Sequence, residues 1–467
     1  MKLVSPVHRV SYLGQMVATL LASGLAMALF AGDSAPLAGI ANSRDGNYPL
    51  APAQELVSRD GLPNFFAKLD RGEPVTIAYF GTSLTAAPGW RVMTFDWLKQ
   101  RYPRSKLTMV SASLGGTGSI AGAFRADRDL LPSRPDLVFV EFAGNDNADA
   151  RSQPMDVLRA MEGIVRKIRR ASPATEICLI YAFGFGDFKT LRGGLAPRGA
   201  TLHEQVASHY HLPAIHVSLE VVALEAAGKL INAAPPTPDG RTSDGKIIFT
   251  TDGSHPNDPL GYGIWAGIIE RALVSLSGVG KPGAHPLPQP LLPDHWEHAT
   301  TLPIVDHARF TGTWERLSAV NGPAVVRYGV SLYDAVPRIY RTVTAGSSLT
   351  LRFRGTHIGL KGVTGPDSAM ISIKVDALSP AVDTQFNVYS KTFSYGGRPL
   401  PALPEEIHTV TWTLLPEQPD KLKILSSYNR KGNEQDLIDH PEKYAGRAFY
   451  VGEILLVGEM LPMESVP

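Results

Sequence analysis

From about residue 74 to 278, short apolar runs alternate with segments patterned at helical spacing. The runs at 75–80, 107–112, 137–142, 176–183 and 213–218 are close to continuously apolar, as strands covered on both faces should be. Between them, 90–101, 154–170 and 196–210 carry apolar residues at helical intervals. In the first of these, Trp90, Met93 and Trp97 are expected to face the sheet. Such β–α alternation predicts a parallel sheet with helices on both faces, a three-layer α/β/α unit over residues 46–279.

The pattern changes after residue 278. Gly280-Lys281-Pro282-Gly283 and the proline-rich stretch that follows read as a linker over 280–293. Beyond it the period is two: Leu349, Leu351 and Phe353; Ile371, Ile373 and Val375; Val410, Trp412 and Leu414. Arg354-Gly355-Thr356 and Thr364-Gly365-Pro366-Asp367 read as turns between strands. Few helical patterns interrupt, so residues 294–467 are expected to form an antiparallel, all-β sandwich.

Composition narrows the class. The 45 basic and 44 acidic residues nearly cancel, and nothing in that balance points to a nucleic-acid footprint or a polybasic membrane surface. The single cysteine, Cys178, rules out an internal disulfide framework, and its apolar surroundings predict a core position. At the N-terminus Lys2, His8 and Arg9 precede a charge-free stretch from residue 10 to 32, rich in Leu, Ala and Met. Residues 1–35 therefore read as an export signal, with Ala28, Ala31 and Ala35 as candidate cleavage positions. A stretch of about 20 apolar residues can also span a bilayer. Cleaved signal and uncleaved anchor both remain open, and membrane association is expected only for the anchor. Either one places the body of the protein outside the cytoplasm, periplasmic or secreted.

Four short segments carry candidate chemistry. Ser83, in Gly81-Thr82-Ser83-Leu84, follows the first long strand at a glycine turn, where open α/β sheets hold their ligands. Gly115-Gly116-Thr117-Gly118-Ser119 follows the second and can expose backbone N–H groups; it lacks the spacing of a phosphate-binding loop. Asn145, in Ala143-Gly144-Asn145-Asp146, follows the third and brings a side-chain amide, while Asp146 is expected to fix the local turn. Asp252 and His255, three residues apart, allow a carboxylate to orient an imidazole. Separately each is an ordinary turn or cap. Together they contain a nucleophile, an acid–base pair and oxyanion donors, the components of serine-based acyl transfer.

As a set, in this order, the segments resemble the SGNH (GDSL-type) hydrolase superfamily over roughly residues 74–275. The resemblance implies a flavodoxin-like sheet, with Ser83 as nucleophile, His255 as general base and then acid, and Asp252 as its partner. It implies an oxyanion hole from the N–H groups of Ser83 and Gly116 and the Asn145 amide, with Gly115 as the alternative donor and a substrate contact. Thr82 stands where the family's motif has Asp, and Ala143 where it has Gly. Phe124-Arg125, Asp127 and Asp129-Leu130-Leu131 resemble secreted bacterial members acting on carbohydrate esters, which makes Arg125 a candidate substrate-binding residue. The segment from Gly346 to Asp376 resembles the jelly-roll sandwiches that accompany carbohydrate esterases.

The expectation is an exported serine esterase that removes short acyl groups, acetyl first, from a carbohydrate or another small ester. Lysophospholipase, thioesterase and acyltransferase share the same triad, and a non-catalytic polysaccharide-binding protein is the alternative of another class. Trp296, Trp314 and Trp412 are either sandwich core or sugar-stacking residues. No cofactor is expected. His203, His209, His211 and His216 cluster in sequence but lack the spacing and companion ligands of a metal site.

Overall fold

The computed structural model describes residues 48–149, 152–327, 329–427 and 433–463. The expected export segment, 1–35, lies outside the described residues.

Six strands form the first sheet: β1 (Leu56–Val57), β2 (Val75–Gly81), β3 (Leu107–Ser111), β4 (Leu137–Glu141), β5 (Glu176–Tyr181) and β6 (Ala214–His216). Their spatial order is β1-β6-β5-β4-β2-β3, parallel throughout except for β1, which runs antiparallel to β6. Five are the strands expected from the apolar runs. Several end a residue or two before the runs do, because Phe142, Ala182 and Phe183 stay buried in the core after leaving the ladder. β1 is too short to leave a periodic signal. Since β2 lies between β3 and β4, the order reverses at β2, and ligands of open α/β sheets bind beyond the carboxyl ends at such a switch point.

Helices cover both faces. Those used below are α1 (Pro63–Arg71), α2 (Ser83–Ala86), α3 (Trp90–Arg101), α4 (Ser119–Asp129), α5 (Ala143–Ala148), α6 (Pro154–Ala171), α7 (Arg198–His209) and α8 (Leu260–Leu276). One expected face holds in part: Trp90 is buried, while Met93 and Trp97 pack against the core from its half-exposed margin. In α3 the buried stripe is Trp90, Thr94 and Leu98 with Phe95, whereas Met93 and Trp97 are half-exposed. A threonine in the middle of the stripe hides it from a hydrophobicity pattern. The outer face of Trp97 lies under the Arg101 guanidinium, 5.6 Å from the ring centre. Cys178 is buried in β5, and burial pushes its thiol well up.

Two short parallel strands, β7 (Leu230–Ala233) and β8 (Ile247–Thr250), lie outside the main sheet and lead into the Asp252 turn. The C-terminal region is antiparallel. An eight-stranded sheet has the path β15 (Ala381–Thr384), β14 (Met370–Val375), β17 (Glu406–Leu414), β13 (Ser348–Thr364), β19 (Glu453–Met460) and β9 (Thr300–Pro303); β10 (Arg309–Thr311) and β16 (Ser394–Pro399) also pair with β13. A three-stranded sheet of β11 (Glu315–Arg316), β12 (Tyr340–Thr342) and β18 (Phe449–Val451) shares a core with it. The period-two residues Leu349, Leu351, Phe353, Val410, Trp412 and Leu414 are buried in that core. Arg354-Gly355-Thr356 is no turn: β13 runs through it, with a break in register between Gly355 and His357. Gly355 has φ 147°, and a Cβ there would lie 2.3 Å from the Val457 carbonyl oxygen, so the glycine marks a bulge. Trp296 and Trp412 are buried and unable to stack on a sugar, while Trp314 is half-buried against Phe310 and Phe449.

The proline-rich segment between the regions lacks helix and strand yet is held along its length. The N–H groups of Leu291 and Leu292 donate to the buried Glu162 carboxylate on α6, at 2.5 and 2.8 Å. His285 N–H donates to the Pro173 carbonyl at 2.8 Å, and Trp296 N–H to that of Arg159 at 3.1 Å. Glu297 takes Arg166, Arg170 and His295. Gly163, in the middle of α6, is explained by this path: a Cβ would lie 2.5 Å from the Trp296 carbonyl.

Candidate active site

The turn that carries Ser83 is built on a buried carboxyl. Where β2 ends, Thr82 caps α2: its hydroxyl accepts from Leu84 N–H at 3.2 Å and donates to Glu141 Oε2 at 2.7 Å. The Thr82 N–H (3.2 Å) and the Thr85 hydroxyl (2.8 Å) donate to the same oxygen. Glu141 is fully buried at the end of β4, paired in register with Gly81. Burial pushes its pKa up to about 7, against the three donors that favour the charged form. Gly81 is required for closeness rather than for a left-handed turn: its φ is not positive, and a Cβ would lie 2.7 Å from the Glu141 carbonyl oxygen.

This turn presents Ser83, half-buried, to the second motif. Ser83 Oγ lies 2.8 Å from His255 Nε2, and His255 Nδ1 lies 2.7 Å from Asp252 Oδ2. A carboxylate facing Nδ1 sets the tautomer, with Nδ1–H donating to Asp252 and Nε2 free to accept from the serine hydroxyl. The other Asp252 oxygen accepts the N–H groups of Ser254 and His255, each at 2.8 Å. Partial burial works against the charge of Asp252, but the His255 ring and these two N–H groups outweigh it and hold the carboxyl well below the usual range. Gly253 makes the turn with φ +78°, and Asn257 pins its far side through Phe249 O (2.6 Å) and Ile248 O (3.1 Å). α8 then anchors the motif through buried Trp265 and Ile268.

The glycine segment and the Asn145 segment meet beside the serine turn. Gly115 is buried; Gly116 is exposed, with φ +75° and open space around it. Asn145 Nδ2 donates to the Thr117 carbonyl at 3.0 Å, tying α5 to this loop with one of its two amide hydrogens. Asp146 points inward, as a turn-fixing residue should: it accepts from Ser119 N–H at 2.9 Å and pairs with His203 at 2.8 Å. Gly118 must be a glycine, since a Cβ would sit 2.2 Å from Asp146 Oδ1. Ala143, the unusual first residue of its motif, is buried, with Gly199 leaving room for its carbonyl.

Arg125 does not line a cleft. It is 2% exposed, and its guanidinium donates to the carbonyls of Ala112 and Gly81 (3.2 Å) and lies 4.4 Å from the Phe80 ring centre. Its expected substrate contact is corrected to a role inside the fold. Glu141 was not expected; the one available signal is a lone acid closing an apolar run, Leu137-Val138-Phe139-Val140. The histidine cluster disperses: His203 goes to Asp146, His209 to the Gln289 carbonyl at 2.8 Å, and His216 is buried between Tyr181 and Phe183 with its pKa down to about 3. Among the described residues no group of three or more His, Cys, Asp or Glu is placed to hold a metal ion.

Residues 78–262 match the model of the GDSL-like lipase/acylhydrolase family. A search of curated protein sequences finds no match. Among solved structures, a two-domain esterase (CEX) active on acetylated mannans, co-crystallised with mannopentaose, is 20% identical with a TM-score of 0.64; the alignment covers 90% of this chain and 100% of that one. A second structure of a two-domain esterase active on acetylated mannans gives 19% identity and a TM-score of 0.63, covering 87% and 98%. The likeness runs through both regions and shows that the two-part fold is shared.

Proposed function

We propose, for a chain that carries a GDSL-like lipase/acylhydrolase domain over residues 78–262, that it is an exported serine esterase removing acetyl groups from a polysaccharide or oligosaccharide. The observation that carries the reading is the unbroken line Asp252–His255–Ser83, with contacts of 2.7 and 2.8 Å. Ser83 Oγ attacks the ester carbonyl while its proton passes to His255 Nε2. Asp252, already ionised and hydrogen-bonded to Nδ1, stabilises the imidazolium. The oxyanion is received by the N–H groups of Ser83 and Gly116 and by the second Asn145 amide hydrogen. His255 returns the proton to the sugar oxygen as its bond to the acyl carbon breaks, releasing the sugar hydroxyl, and water then resolves the acyl-enzyme by the same steps reversed.

The carbohydrate part of the reading is supported by the two-domain mannan esterase, which shares the whole architecture. Export is supported by the apolar, charge-free stretch from residue 10 to 32. An intact triad speaks against a purely binding protein.

The test is acetate release from acetylated mannan and xylan oligosaccharides, set beside long-chain esters and lysophospholipid. Acetylated sugars should be preferred, and Ser83→Ala and His255→Ala should each abolish turnover while the protein stays folded. Full activity in Ser83→Ala would overturn the mechanism. Preference for long acyl chains would overturn the substrate and leave the triad standing.

A further inference from the structure

The catalytic loop is not held by the α/β region alone. Leu114, immediately before Gly115-Gly116, is 4% exposed, and its side chain sits in a buried cluster whose other members all come from residues 317–450. Val336, Ile339, Val363, Tyr395 and Tyr450 are among them. On its own side its backbone is tied twice: Leu114 N–H donates to the Gly81 carbonyl at 3.0 Å, and the Thr117 hydroxyl donates to the Leu114 carbonyl at 2.7 Å. Gly116, two residues on, has open space around it, so the loop's placement depends on what grips its neighbours.

A second connection runs beneath the same spot. Arg125 bridges the carbonyls of Gly81 and Ala112, which end β2 and open the glycine loop. Behind it Asp129 lies 3.2 Å from Arg125 and 2.6 Å from Arg128. Arg128 Nη1 meets Glu453 Oε1 at 2.5 Å, and Glu453 Oε2 meets Lys361 Nζ at 2.7 Å. Lys361 finally donates to the Ala335 carbonyl at 2.6 Å. A file of alternating charges therefore links the nucleophile turn to β13 and β19. Arg125 and Lys361 are almost wholly buried, which gives the file little freedom to rearrange.

We infer that the C-terminal β-rich region is a working part of the catalytic centre: it holds the oxyanion loop through Leu114 and braces the nucleophile turn through Glu453. This rests on the reading of Gly116 as an oxyanion donor. Leu114 and Glu453 are positioning residues, reaching the reaction only through the backbone they hold. Shifting a donor by a fraction of an ångström weakens an interaction made chiefly in the transition state, so the loss falls on kcat with KM kept.

The test uses the full chain with Leu114→Ala, the milder socket variant Ile339→Val, and the conservative Leu114→Met. Two quantities are read: steady-state hydrolysis of a short-chain chromogenic ester, and hydrogen exchange of the peptide spanning residues 112–119. In Leu114→Ala, exchange of that peptide should rise while β4 stays protected, and kcat should fall roughly 10–100-fold at nearly constant KM. Ile339→Val should move both in the same direction by less, and Leu114→Met should recover most of the wild-type values. Unchanged exchange in the 112–119 peptide, or raised exchange with unchanged kcat, overturns the inference. Should the wild type hydrolyse no ester, the proposed function falls, and the exchange result decides by itself whether the C-terminal region grips the loop.

Discussion

Replacing Glu141 with glutamine removes a titration that the fold makes unfavourable. The carboxyl is fully buried, and its pKa rises from an ordinary 4.5 to about 7. Below pH 4.5 the side chain is protonated whether the chain is folded or not, and the group adds no pH dependence. Between 4.5 and 7 the folded protein keeps a proton that the unfolded chain has released, so stability falls as pH rises. Above 7 both states are ionised and the loss is complete. At about 1.4 kcal/mol per pH unit, the window is worth about 3 kcal/mol. Gln at this position still offers an oxygen to Thr82 and Thr85 but cannot ionise; its amide hydrogens fall where Glu141 Oε1 has no partner, a cost independent of pH. Urea unfolding of wild type and Glu141→Gln at a series of pH values from 4 to 8 checks this. The wild type should lose about 3 kcal/mol relative to the variant between pH 4.5 and 7, with flat ends. A constant difference would refute the reasoning. A difference that is flat above pH 4.5 and in which the wild type loses stability below it would show that the three hydrogen-bond donors outweigh burial and hold the folded Glu141 carboxyl below its ordinary pKa.

The remaining expectations concern the reaction. On the proposed mechanism Asn145→Ala should lower kcat by about 10²–10³ with little change in KM, measured on a short-chain ester, because it would remove one oxyanion donor. Asp252→Asn should lower kcat on the order of 10³–10⁴, since an amide facing His255 Nδ1 donates where the carboxylate accepts and favours the wrong tautomer; an Asp252→Asn enzyme with near-normal kcat would remove Asp252 from the mechanism.

What could be read in the chain depended on how local the cause was. The central strands β2, β4, β5 and β6 declare themselves because burial on both faces makes each run apolar, while β3, at the sheet edge, is apolar in sequence though half-exposed. Asp252 and His255 declare themselves because one turn contains the whole interaction. Glu141 stayed hidden because its partners, Thr82 and Thr85, lie on the neighbouring strand end, and only the β2–β4 register brings them to it. Arg125 misled for a similar reason: where α4 begins, at Gly118, sets which way each of its side chains turns. Gly355 misled because a bulge and a turn make the same demand on a glycine. Leu114 gave no sign at all, for its partners begin two hundred residues away.

The pinned segment between the regions bears on reach. A free chain of its length would wander over roughly 20 Å, and the two regions would meet at an effective concentration averaged over that volume. Fastened to α6 through Glu162, Arg159 and Glu297, it behaves as a strut. A strut transmits orientation as well as nearness. Any polymer long enough to touch both regions meets them at one spacing, set when the protein folds and not by the swing of a tether.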